Sequence, residues 1–136
     1  MKFISFIPVL MLLAGCAADD VRLHGTWKSN REATVAAAFQ KNPSLTNLPP
    51  ENIERLRNLY GNMTVNYSNG IATSCLSGKT NSWHYHVIER GDDFIVLRSE
   101  IVGFENSRIR FVDQGKSYWI GGPIKYEERF DKVESK

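Results

Sequence analysis

Cysteine is nearly absent from this chain: there are two, Cys16 and Cys75, so at most one intramolecular disulfide could form and no paired-cysteine metal spacing exists. A surplus of one charge sign is missing as well. Seventeen Lys and Arg, one of them Lys2, face 15 Asp and Glu and are scattered along the chain, which leaves no long-range field to attract phosphate backbones. Nucleic acid is therefore not an expected partner. Walker loops, dinucleotide fingerprints and nucleophile elbows are all lacking, so an enzyme is not the expected class and no cofactor is implied. With 136 residues there is room for one domain, able to bury about two thirds of its unfolded surface, and none for a second, cofactor-binding one.

What is present begins with one long apolar run at the N-terminus. Phe3 to Leu13 follows Lys2, carries no charge, and is interrupted only by Ser5 and Pro8, which is the pattern of an export signal. A membrane-spanning helix needs roughly 17 to 25 apolar residues, and Asp19 and Asp20 end this stretch well before that. The run closes on Leu13-Ala14-Gly15-Cys16. This resembles the lipobox of bacterial lipoproteins: a branched apolar residue, two small residues that let an extended backbone enter a peptidase cleft, and a thiol able to take a diacylglycerol thioether. The resemblance implies a signal peptide over residues 1–15, and Cys16 as a lipidated mature N-terminus carrying two or three acyl chains such as palmitate. At about 0.8 kcal/mol per buried methylene, two chains already anchor a protein to a membrane stably. Ala17, standing where an aspartate retains such lipoproteins in the inner membrane, implies the periplasmic side of the outer membrane. Residues 16–21 then read as lipidated N-terminus and short polar tether, and 22–136 as the folded domain. With Cys16 consumed by lipid, Cys75 is left either as a buried small apolar residue, the preferred reading, or as an exposed thiol.

Within the domain, Arg22 to Lys28 alternates as a first strand, with Leu23, Gly25 and Trp27 on one face. Ser29 and Glu32 form a capping box that predicts a helix from Ala33 to Gln40, running out at Asn42-Pro43. Pro49-Pro50-Glu51 opens a second helix, on which Ile53, Leu56, Leu59 and Tyr60 recur at helical spacing and Gly61 supplies a left-handed cap. After Gly61 the period changes to two. Met63 to Tyr67 and Ile71 to Leu76 flank an Asn69-Gly70 hairpin turn. Further strands read at Trp83 to Glu89, Phe94 to Ser99, Arg108 to Val112, Lys116 to Ile120 and Tyr126 to Val133. A meander with one apolar face removes its edges most simply by closing on itself. The expected fold is mainly β: a small antiparallel up-and-down barrel of about eight strands, capped by two helices between the first and second strands.

Gly25-Thr26-Trp27 resembles the G-x-W signature of the lipocalin and fatty-acid-binding-protein superfamily, and lies on the first strand where that family carries it. Fatty-acid-binding proteins also insert two helices after that strand, though they have ten strands rather than about eight. The domain is similar, too, to bacterial lipocalin-like proteins that open with GTW and close with an aromatic near the C-terminus, here Phe130. The resemblance implies that Gly25 and Trp27 close one end of the barrel and that a basic side chain near the last strand, Arg129 or Lys132, rests on the indole face.

Tyr67, Trp83, Tyr85, Phe94, Phe111 and Tyr118 fall largely on alternating positions expected to face the interior. Barrels of this size either pack solid or hold one small ligand, and a nearly filled interior is the preferred reading. His84 and His86 share the opposite face of their strand. They are candidate metal ligands lacking a third partner nearby, or else solvent-facing residues of the outer wall. Arg108 and Arg110 flank Ile109 on the outer face. The expected function is a non-enzymatic binding module for a small apolar ligand, such as a lipid or fatty acid, at the helix-capped mouth. The alternative is an envelope protein that docks a protein partner on the outside of a filled barrel.

Overall fold

The structure is a computed structural model that describes residues 19–101, 105–121 and 126–134; the lipobox and Cys16 lie outside them. Eight strands follow one another: β1 (Gly25–Ser29), β2 (Met63–Ser68), β3 (Ile71–Leu76), β4 (Lys79–Arg90), β5 (Phe94–Ser99), β6 (Asn106–Val112), β7 (Ser117–Ile120) and β8 (Glu128–Lys132). Each pairs antiparallel with the next and β8 returns to β1, so the expected up-and-down barrel is closed and every strand has a partner on both sides. Helices α1 (Arg31–Lys41) and α2 (Pro50–Asn58) both lie in the connection from β1 to β2, with a 3-10 turn at Pro43–Asn47 between them. Strict alternation sets the barrel faces: on β6, Ser107, Ile109 and Phe111 are buried while Arg108 and Arg110 are exposed.

Local chemistry corrects several boundaries. The Asp20 side chain accepts the Arg22 amide at 3.0 Å and caps a 3-10 turn over Val21–Leu23, so the first strand starts at Gly25 rather than Arg22. Helix α1 is capped by Asn30, which accepts the Ala33 amide at 3.0 Å, and not by Ser29. Ser29 stays on β1, where its hydroxyl donates to Glu128 and accepts the Gly61 amide, both at 2.9 Å. Strand β4 starts at Lys79 because Ser77-Gly78, with φ of 51° and 77°, forms a hairpin turn like that at Asn69-Gly70. The polar run Lys79-Thr80-Asn81-Ser82 carries little β propensity and is held as strand by its pairing with β3.

The end of the barrel away from the helices is filled. Trp27 is fully buried; its indole N–H donates to the Leu23 carbonyl at 2.7 Å, and its ring meets Tyr118 edge-on at 4.7 Å. Lys132 lies opposite Trp27 in the β1–β8 register and puts its ammonium 5.5 Å from the indole centroid. Arg129 does not cover Trp27. It is an odd number of residues from Lys132 and so faces outward, beside Trp119 and bonded to Asp131 at 3.0 Å and Ser117 at 3.1 Å.

The floor below Trp27 is polar and tied to the first described residues. Asp19 accepts the Tyr85 hydroxyl at 2.7 Å and pairs with His24 at 2.6 Å; Asp20 pairs with Arg22 at 2.9 Å and Arg90 at 3.3 Å. Residues 19–21 therefore belong to the folded body, which shortens the polar tether expected over 16–21. The Arg22 hydrogen bond outweighs burial and holds the Asp20 carboxyl below its ordinary value of 3.8. Because the folded protein releases this proton more readily than the unfolded chain, the stabilisation is complete above the ordinary value and is lost as pH falls through the lower, folded one. Asp20→Asn is expected to lower the denaturation midpoint at neutral pH and to flatten the decline below about pH 4. Urea unfolding across that range reads both effects.

Candidate ligand-binding site

Strand β1 runs upward into α1, which packs beside β8. At this upper end the interior holds a cavity of about 570 Å³, lined by no residue of either helix. The expectation of a nearly filled barrel is thus corrected for its upper half. The space comes from side-chain size: the inward positions of β3 and β6 carry Ala72 and Ile109 at depth but only Ser74 and Ser107 nearer the helices.

Val65, Tyr67, Tyr85, Leu97, Tyr118 and Phe130 form the deep wall, with Met63, Trp83 and Ile120 above them. The Tyr67 and Tyr118 hydroxyls bond each other at 3.2 Å. Burial pushes the Tyr67 phenol up to about 12 and that of Tyr118 well above its ordinary value, so both stay neutral at physiological pH. Polar groups at the upper end come from Asn81 and Ser82 on β4, Ser99 on β5, Glu128 on β8, and from Tyr60 and Tyr126. Burial raises the Glu128 carboxyl, and the Ser29 hydroxyl works against that by bonding it. The Tyr126 hydroxyl accepts from Asn42 at 3.2 Å, whereas the buried Tyr60 hydroxyl has no hydrogen-bond partner among the described residues.

Of the six aromatics singled out from sequence, Tyr67, Trp83, Tyr85 and Tyr118 line the cavity. Phe111 is buried but lies outside that lining, with the Arg22 guanidinium 5.2 Å from its ring. Phe94 is on the outer wall under the Arg108 guanidinium, 3.9 Å away, because Ile95 and Leu97 are the inward residues of β5. His84 and His86 are exposed on the outside of β4, opposite Ile71 and Arg98, and among the described residues no cluster of three metal-ligating side chains exists. Cys75 is exposed, against the preferred buried reading, since it alternates with inward Ser74.

Sequence reasoning passed over Tyr60, Met63, Leu97, Ile120, Glu128 and Phe130 as lining residues. A signal existed for Glu128: it is two residues from Phe130 on β8 and so shares its inward face. No family model, curated protein or solved structure matches the chain.

Proposed function

We propose that this chain is a binding module that holds one small apolar ligand in the upper half of its barrel, tethered through Cys16 to the periplasmic side of the outer membrane. The cavity carries the reading. Its volume of about 570 Å³ falls within the roughly 300–1,000 Å³ typical of small-molecule sites, and its walls are mostly aromatic and aliphatic with a few polar groups at one end. The Gly25-Thr26-Trp27 strand, the two helices after it and Lys132 over the indole support a lipocalin-like lineage for it. A docking protein with a solid core is the weaker reading, because the exposed apolar residues are scattered: Val21, Ile71 and Val133 below, Leu48, Leu59 and Leu76 above, and Ile88 on the outer wall of β4.

The tether also orients the barrel. Asp19 and Asp20 are fixed to the floor, and a chain spans at most about 3.6 Å per residue, so a lipid on Cys16 keeps the closed end near the bilayer. The mouth then faces away from the membrane, and ligand exchange takes place on the periplasmic side.

Two measurements test this reading. The neutral dye Nile red should bind the full-length protein once per chain; a protein that takes up none would refute the binding role. Cys16→Ser should remove the protein from the outer-membrane fraction, and an unchanged distribution on cell fractionation would refute the tether.

A further inference from the structure

We infer that the mouth of the cavity selects an apolar ligand with a protonated amine head, seated between Glu128 and Tyr60, and discriminates against a fatty acid. This rests on the binding reading above and narrows its ligand. Glu128, the first residue of β8, faces into the barrel and is half-buried. One of its carboxyl oxygens accepts from Ser29, while the other has no hydrogen-bond donor among the described residues. The described lining includes no Lys, Arg or His, so this half-buried carboxylate has no counter-ion among the described lining residues.

The second observation is independent of the first. Tyr60 lines the same end of the cavity as Glu128; its hydroxyl is closed off from water and has no hydrogen-bond partner among the described residues, so what it offers a ligand is its ring. An ammonium head donates to the open oxygen of Glu128 and brings the missing positive charge. The Tyr60 and Tyr126 rings add aromatic surface of the kind that attracts cations. A carboxylate head in this place would face Glu128 with like charge. An alcohol would make the hydrogen bond but leave the charge unbalanced.

Octylamine, octanol and octanoate share one tail and differ in the head, so titration calorimetry of the full-length protein at neutral pH isolates the head's contribution. Octylamine is expected to bind at least about tenfold more tightly than octanol, with octanoate weakest. Glu128→Gln should bring octylamine down to the affinity of octanol and leave octanol within about twofold, since Ser29 can still donate to the amide oxygen. Tyr60→Leu should cut the advantage of octylamine over octanol by about threefold or more, because it removes the ring that attracts the cation. The proposal is overturned if octanoate or octanol equals octylamine, or if Glu128→Gln leaves the amine's advantage intact. Should Glu128→Gln fail to fold, Tyr60→Leu decides, and an undiminished advantage of the amine over octanol overturns the proposal. If none of the three amphiphiles binds, the binding role itself fails, which is a separate result.

Discussion

Trp27→Ala is expected to lower the free energy of unfolding by about 3–5 kcal/mol, a large share of the roughly 5–15 kcal/mol that holds a domain together. Trp27 is 0% exposed and joins three parts of the closed end. Its indole N–H is the donor to the Leu23 carbonyl, its edge packs on Tyr118, and its face carries the Lys132 ammonium. Alanine removes all three and leaves a cavity in a region where Tyr118 is itself stacked on Phe130 at 5.2 Å, so the walls have little freedom to collapse. Urea unfolding monitored by circular dichroism measures the loss. A change below about 1 kcal/mol would mean that the tryptophan does not close the barrel as described.

Ser74→Phe is expected to have the opposite profile, with the fold retained and ligand binding abolished. Ser74 lines the cavity, and the new ring enters space that is already there, so stability should change by less than about 1 kcal/mol while Nile red affinity falls about tenfold or more. In a solid interior the same change would overpack the core at a cost of about 1–3 kcal/mol. Ala72→Phe provides the contrast. Ala72 is on the same inward face two residues deeper, at 0% exposure and in the filled part of the barrel, so it should show that overpacking penalty. Equal destabilisation by the two substitutions would argue against an open upper half.

The barrel was legible because its strands alternate and its turns carry left-handed residues; Asn69-Gly70 sets the β2–β3 register directly. Errors arose where one signal hid another. Arg22 to Lys28 alternates like a strand throughout, yet Asp20 takes its first residues into a 3-10 turn through a hydrogen bond that no periodicity reveals. Phe94-Ile95-Val96-Leu97 is apolar on both faces, so alternation could not say which pair points inward, and the β5–β6 register puts Phe94 opposite exposed Arg110. Lys132 rather than Arg129 covers Trp27 for a reason of register that two basic residues near one strand could not disclose.

The cavity was the least legible feature because it consists of missing volume. Serine in a strand reads as an outward residue, and only the closed register shows that Ser74 and Ser107 point inward together, above Ala72 and Ile109. Tyr60 was read as part of a helical stripe. Its position just beyond α2 instead makes it part of the cavity lining, with its hydroxyl buried and without a partner among the described residues.

Native mass spectrometry of the full-length protein recovered from the cells that make it addresses the interior most directly. The expected spectrum shows one small apolar molecule retained per chain, and its loss in Ser74→Phe. A bare mass for the parent protein under conditions that preserve its fold, together with failure to take up added Nile red, would contradict the account.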